Sequence, residues 1–525
     1  MKVRIPLKVA GAGRSPTPPS PTRGGGDLDR APGATFTLKR TVFVLVLLPY
    51  TFWASAGEDR RGLAGVAGEV QLLFTGDILL SRHVQAQMQK TGRGPWDGWP
   101  PLLRQADWVL GNLEGAVGDG ADCAQTPRPC FAIPAAAVPY LSAAGFRTLG
   151  LANNHAADLG EPGLRATTEA LARAGLDSID FAGSPRFVRL GGVTLGLVAF
   201  SMVPDAQGRR LNLPSWLLAQ RLRLARRLAN LVVVYVHWGT ELLDWPATEQ
   251  RQAARWLISQ GVDLIVGHHP HVVQPAECLN GKPVFYSLGN HVFDQKYPST
   301  KEGVLADCRI GDGRLRCHPI GTQTAAGDAF PRLVATTAQT PSPLDACTVA
   351  LGPAFSVAGL TLRPVSVAAD TAGAPARIAL AAFESDQPRW QTRPLELLGL
   401  DASRFAGPAG PPLLLTLERH PSSLDHADDP RPYVYELAPK GLIARWRGSA
   451  LAWPLLDATL APDDPAVLCA LHRGDSFLVP DPATTRTRIA AYRWNGFGFS
   501  GLDDAAALAG CRGIWAETLR HPGRE

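Results

Sequence analysis

Between Thr75 and Gln295, six short blocks place a carboxylate, a carboxamide or an imidazole directly after an apolar run. They are Thr75-Gly76-Asp77, Gly111-Asn112-Leu113-Glu114, Ala152-Asn153-Asn154-His155, His237-Trp238-Gly239-Thr240-Glu241, Gly267-His268-His269-Pro270-His271 and Ser287-Leu288-Gly289-Asn290. The donors on offer are oxygen and imidazole, without a thiolate. Such a set suits Mn, Fe or Zn, and less well Mg, rather than a soft thiolate-bound metal. Asp77, Glu114, Asn154, His237, His269 and His271 are therefore the candidate ligands for one or two divalent ions. Two ions about 3.5–4 Å apart need a carboxylate between them, and such a pair activates water and clamps a transferring phosphoryl group. Glu114 is the best bridging candidate. His155, if unligated, could protonate a leaving group, and Arg82 could hold an anionic substrate group bidentately.

The elements that must position these groups are legible in the apolar pattern. Val70, Leu72 and Phe74 alternate before Asp77, the run Leu231–Val236 leads into His237, and Val262–Val266 leads into the histidine cluster. These β-branched segments read as buried strands. Helical patterns lie between them, over 160–175, 216–230 and 246–261, two of them closing on a glycine. Strands alternating with helices predict a mostly parallel α/β sheet, whose ligands sit at the carboxyl ends of its strands. Six blocks so placed predict one site at one edge of a sheet.

Each group also has a plainer reading. Asp77 could cap a following turn, and Asn154 and Asn290 could bond loop backbone. His237 could be a satisfied strand-end histidine, Arg82 a surface cation, and Trp238 packing. Glu241 and Asp294 could orient ligating histidines or form ion pairs. His268 reads as structural.

Taken together, the blocks resemble the CapA family of poly-γ-glutamate capsule-synthesis proteins, whose fold is similar to the calcineurin-like metallophosphoesterases. The resemblance is carried by Gly76-Asp77 with Arg82, Asn112-Leu113-Glu114, Asn153-Asn154-His155 with Asp158 and Gly160, His237-Trp238-Gly239 with Glu241, His269-Pro270-His271 with Gln274, and Tyr286–Asn290 with Asp294-Gln295. It spans roughly residues 70–300 and implies a four-layer α/β/β/α domain with a two-metal site. The match departs from metallophosphoesterases at Leu79, where those enzymes carry a histidine, and at the second block, where they carry Gly-Asp-x-x-Asp. Within the CapA pattern, His291 stands where phenylalanine is expected. A fold alone supplies no reaction. The resemblance implies making or remodelling an anionic envelope polymer such as poly-γ-glutamate, either as a metal-dependent hydrolase or transferase or as a non-catalytic polymer-binding part of a membrane-bound capsule synthesis complex. A third reading makes the C-terminal part a partner-binding scaffold.

The organisation expected along the chain is a low-complexity leader and signal peptide over 1–56, a linker over 57–69, the CapA-like domain over 70–330, a loop- and strand-rich connection over 331–400, and a β-rich module over 401–525. Lys39-Arg40, an apolar stretch and Ala54-Ser55-Ala56 read as an export signal, so a periplasmic or extracellular protein is expected; an uncleaved anchor is the alternative. Eight cysteines fit an oxidising compartment. A two-residue turn at Asp312-Gly313 would set Cys308 opposite Cys317, and Cys123 and Cys130 bracket a loop. The net charge of +5 comes from scattered basic residues, and no nucleic-acid motif is present. In the C-terminal part, 431–437, 442–447, 466–471 and 488–494 read as strands, blade-like and distantly repeated. His472–Asp475 reads as an exposed polar turn.

Overall fold

The computed structural model describes residues 68–520 apart from 124–127, 182–183, 335–341, 368–376, 404, 406, 408–409, 422–427 and 449–450. The export-signal residues lie outside the described residues. Among the latter, no helix is long and apolar enough to cross a membrane.

Two sheets, where the strand pattern predicts one, carry the six blocks. The first has nine strands among the described residues, with Val70–Ile78 near its middle. That strand runs parallel to Trp108–Leu113 and antiparallel to Glu302–Gly311. The second has six strands, in which Val193–Ser201, Leu231–His237, Leu264–His268 and Lys282–Leu288 run parallel in the order 1-2-3-4 and antiparallel strands close both edges. The strand pattern alone does not divide the blocks between sheets, because a period of two tells which residues share a face, not which strands share a ladder; the resemblance, with its two β layers, implies two.

That period decides the cores. Leu72 and Phe74 point from the first sheet into a buried cluster with Leu195, Val233, Leu264 and Phe285 of the second. Leu73, Val109 and Leu149 point the other way, against Val84, Leu141 and Leu171 from helices. On the far face of the second sheet, Val232, Val234 and Ile265 pack on Leu218, Leu222, Ala253 and Leu257. The last four come from the helices Trp216–Leu228 and Thr248–Ser259, whose apolar residues recur at helical spacing. Each buried Val, Leu, Ile or Phe among them contributes about 1.5–3 kcal/mol.

Beyond the first two sheets come three antiparallel four-stranded sheets, over 356–391, 397–447 and 455–501. The strands read over 431–494 fall in the second and third of these; the first lies in the segment read as a connection. A helix, Ala505–Trp515, follows and is pinned to the last sheet by Cys469–Cys511. His472 is wholly buried and corrects the exposed-turn reading: its ring nitrogens lie 3.0 Å from the Trp453 carbonyl and 3.0 Å from the Tyr492 hydroxyl. The helix Trp216–Leu228 joins the two halves. Its Gln220 donates to Asp457 (2.9 Å), its Arg223 pairs with the same fully buried carboxylate, and Trp515 donates to it from the other side (2.8 Å).

All eight cysteines pair: Cys123–Cys130, Cys278–Cys347, Cys308–Cys317 and Cys469–Cys511. Cys308 and Cys317 face each other in the register the turn implies, with Gly311 opposite Arg314. Four disulfides point to an oxidising, non-cytoplasmic compartment. Cys278–Cys347 spans 69 residues against 9 for Cys308–Cys317, so it constrains the unfolded chain more. Replacing both members of the longer bridge by alanine is expected to cost about 4 kcal/mol, and of the shorter about 2.5 kcal/mol. Urea unfolding of the two double variants checks the order; a larger loss from the shorter bridge would contradict it.

Candidate functional site

The six blocks converge where the carboxyl ends of the two sheets meet. The chain can come that close because Gly76 has no side chain: a Cβ there would lie 1.9 Å from the Gly289 carbonyl, which accepts from the Asp77 N–H at 3.1 Å. After the strand Leu264–His268, His269 and His271 both adopt positive φ (97° and 58°). This conformation costs about 1–3 kcal/mol per residue, and it accompanies a turn that brings both rings back over the strand ends.

Asp77, Glu114, His237, His269 and His271 are all buried. Asp77 Oδ1 accepts from Asn112 Nδ2 at 2.8 Å, while Oδ2 accepts from the His269 N–H at 3.3 Å and lies 3.2 Å from His271 Nδ1. Asn154 Oδ1 lies 2.7 Å from His237 Nε2, and His269 Nδ1 lies 3.1 Å from that same nitrogen. Glu114 differs from the rest. It is 0% exposed, yet neither carboxylate oxygen has a hydrogen-bond partner. Three imidazole nitrogens surround its Oε1 at 3.6 Å (His271), 3.9 Å (His237) and 4.0 Å (His155). These gaps are too long for hydrogen bonds and close enough to share a small cation. Two groups of ligand atoms are near enough to hold one: Glu114 with His269 and His271, and Asp77 with Glu114 and His237. Glu114 belongs to both.

The electrostatics agree. Burial, with the charges of Asp77, Glu241 and Asp158, drives the Glu114 carboxyl well above its ordinary range against the pull of His271. Burial presses on Asp77 in the same direction, but the hydrogen bond and charge of His271, with help from His268 and Asn112, outweigh it and hold the carboxyl low. Burial would lower His271, yet Glu114 and the hydrogen bond to Asp77 raise it to about 9. Burial and neighbouring imidazoles keep His237 well below its usual value, and burial with His271 brings His269 down to about 4. His271, held charged between Asp77 and Glu114, would have to release its proton to ligate a metal, so metal binding here would be linked to pH.

His155 is held differently. Its Nδ1 lies 2.8 Å from Asp158 Oδ2, and its ring stacks on Phe131 at 3.8 Å. Arg82 lies over the same Phe131 ring (4.4 Å) and is gripped by both oxygens of Asp294. Asn290 takes both of its readings at once: it lies 2.9 Å from His271 Nδ1 and donates to the Thr300 carbonyl. Glu241 is exposed. Trp238 is packing, with its N–H on the Tyr286 carbonyl, and His268 is tucked against Tyr235 with Nδ1 on the Val236 carbonyl. Three contributors had no clear signal in sequence. Asn112 links Asp77 to Asn153, Asn153 donates to the Asn112 oxygen (3.0 Å) and the Leu113 carbonyl (2.9 Å), and Phe131 comes from a remote loop. The two asparagines stand inside the motif blocks; Phe131 has only its proximity to Cys130.

The family model described as "Bacterial capsule synthesis protein PGA_cap" matches residues 71–295. The chain is 32% identical over 304 residues to "PGA biosynthesis protein CapA" of Bacillus subtilis, covering 54% of this chain and 79% of that one. It is 31% identical over 265 residues to "Capsule biosynthesis protein CapA" of Bacillus anthracis, covering 46% and 64%. A "Probable polyglutamine synthesis accessory protein" of Mycobacterium tuberculosis is 29% identical over 264 residues, covering 45% and 70%.

His291 lies beneath this site, in the core. Its Nε2 accepts from Trp96 Nε1 (2.9 Å), so the proton sits on Nδ1, which has no hydrogen-bond partner. Burial lowers the ring to about 3, so folding keeps it neutral. The unfolded chain takes up a proton as pH falls through about 6.5 and the fold does not, so this contribution is intact above that pH and is lost between about 6.5 and 3. From pH 7.5 to pH 5 the loss is about 2 kcal/mol. His291→Phe removes it, so the stability difference between variant and wild type is expected to move about 2 kcal/mol in the variant's favour at pH 5. Urea unfolding at both pH values checks this; an unchanged difference would mean that the ring is charged in the fold.

Proposed function

The chain belongs to the CapA family of bacterial capsule synthesis proteins, and from that footing we propose that it is an exported, metal-dependent hydrolase or transferase acting on an anionic envelope polymer. The homologues point to poly-glutamate pathways, and poly-γ-glutamate is the substrate class we favour. The observation that carries the reading is Glu114, a wholly buried carboxylate with two unpartnered oxygens shared by two ligand groups. The succession of buried clusters also supports a four-layer α/β/β/α, metallophosphoesterase-like domain.

In this reading Asp77, Glu114, Asn154, His237, His269 and His271 hold one or two ions of Mn, Fe or Zn. A bound divalent ion would supply Lewis acidity and a nucleophilic water at neutral pH. The chain's own groups do the rest. Asn112 fixes the Asp77 carboxylate and Asn290 the His271 ring, so the donors are set before substrate arrives. His155, oriented through Nδ1 by Asp158, presents Nε2 towards Glu114 and is placed to give a proton to a leaving group. Arg82, 41% exposed and already aligned by Asp294, lies beside His155 on Phe131 to steady an anionic group of the substrate. One feature favours a second reading, a polymer-binding component of a capsule synthesis complex with fewer metals: Leu79, fully buried, fills the position of a metallophosphoesterase histidine.

Elemental mass spectrometry of the dialysed wild type should find one to two transition-metal ions per chain. Glu114→Gln is expected to lose bound metal and turnover of γ-glutamyl or phosphodiester substrates while its circular dichroism is unchanged. Asn112→Ala, which loosens a ligand without removing one, is expected to weaken metal binding about 10–100-fold. Equal metal content in wild type and Glu114→Gln would remove the basis of the proposal.

A further inference from the structure

Beside the candidate ligands lies a cavity of about 870 Å³ that they do not use. Its volume is that of a pocket for a small organic ligand. Leu151, Ala156, Ala157, Phe181, Phe200 and Leu211 give it apolar walls, and Asn153 and Ser201 form the side towards the metal ligands. That side is continuous with the site. The Asn153 side chain donates to Asn112 and Leu113, the next residue reaches His237 Nε2, and the Met202 N–H donates to the His237 carbonyl (2.8 Å). The cavity therefore opens off the same strand ends, where ligands of parallel sheets bind.

The opposite wall is the segment 205–212, folded around Asp205. This buried carboxylate accepts from the N–H groups of Gln207 (2.9 Å) and Arg209 (2.9 Å) and from Arg209 Nε (2.7 Å). The lining carries two carboxylates, Asp180 and Asp205, and two guanidiniums, Arg209 and Arg210. Arg209 answers Asp205 and Glu161, and Asp180 acts on Arg221, whose guanidinium lies 4.1 Å from the centre of the Phe181 ring. Arg210 takes no part in these pairs. It lines the cavity, is exposed, and has no carboxylate partner among the described residues.

We propose that this cavity is the subsite that takes a γ-linked glutamyl segment of the polymer, with Arg210 pairing to one of its α-carboxylates. The inference rests on the polymer reading given above. A γ-linked repeat puts two methylenes in the chain itself and one carboxylate beside them. That alternation matches apolar walls with a single unanswered cation. An α-linked chain has no methylenes in its backbone to lay against Leu151, Phe181 and Phe200, and a purely aliphatic ligand would leave Arg210 unused. The subsite would hold one part of the chain while a neighbouring bond lies at the metal ligands, so that polymer length and linkage are read next to the chemistry.

The test is calorimetric titration of the full chain with γ-linked hexaglutamate, and with α-linked hexaglutamate as control, at a fixed near-physiological salt concentration. Arg210→Glu is expected to weaken the γ-linked oligomer about tenfold or more with metal content unchanged. Ala157→Phe, which fills the cavity, is expected to weaken it comparably; if that variant misfolds, the surface change at Arg210 still decides. Equal binding of the γ-linked oligomer to Arg210→Glu and wild type, or equal affinity for the two linkages, overturns the subsite. Glu114→Gln separates the two proposals. Metal loss with γ-glutamyl binding intact supports both. Unchanged metal with binding still sensitive to Arg210 defeats the metal centre and leaves the subsite standing.

Discussion

A carboxylate taken out of water without hydrogen bonds is costly: the effective penalty for burying an unpaired ion is several kcal/mol. Glu114 meets that penalty by holding its proton far above the ordinary carboxyl range, and the surrounding structure makes sense as the means of keeping it there. Imidazoles from three different strand ends ring one of its oxygens without bonding to it. Asp77, the second carboxylate, is by contrast tied down by Asn112, the His269 N–H and His271. The left-handed backbone at His269 and His271 and the close passage of Gly76 past Gly289 are further costs borne at the same place. Strain, desolvation and mutual repulsion are concentrated within one small volume, around groups that could hold a metal ion.

Much of this was legible because strand-end chemistry is local. The residues that would touch a cation sit one or two positions past a buried apolar run, and a period of two fixes which side of each strand is core. The hairpin register that brings Cys308 to Cys317 could be counted residue by residue from one turn. Sheet membership could not. Val70–Ile78 and Leu231–His237 have the same alternation and end in the same chemistry, yet lie in different sheets, because hydrogen-bond partners are chosen by topology rather than composition. His472 misled for a related reason. A histidine before Arg-Gly-Asp resembles a turn, and only the tertiary fold brings the Trp453 carbonyl and Tyr492 hydroxyl that satisfy it. Asn112 and Asn153 were inside the right motifs, but a carboxamide that orients another ligand has the same letters as one that caps a loop.

The family match stops at residue 295, but the packing does not. Leu344 and Val349 complete the cluster between the two sheets, and Cys347 ties their segment to the strand Val273–Leu279. The family-model stretch and the packing unit therefore have different boundaries in this chain. The strand ends lie within residues 71–295; what encloses those strands is drawn partly from downstream.

The helix Trp216–Leu228 carries that dependence furthest. Leu217, near its start, lines the cavity; further on, Gln220 donates to Asp457 and Arg223 neutralises it; Leu224 and Leu228 enter the core of the sheets beyond residue 356. One rigid rod thus has a cavity wall at one end and the C-terminal sheets at the other. A chain shortened to its family-matched portion would leave Leu224, Leu228 and an unanswered Arg223 facing water, and would loosen the rod from which a wall of the cavity is hung. The downstream sheets act in this sense as a foundation for the site, whatever else they bind.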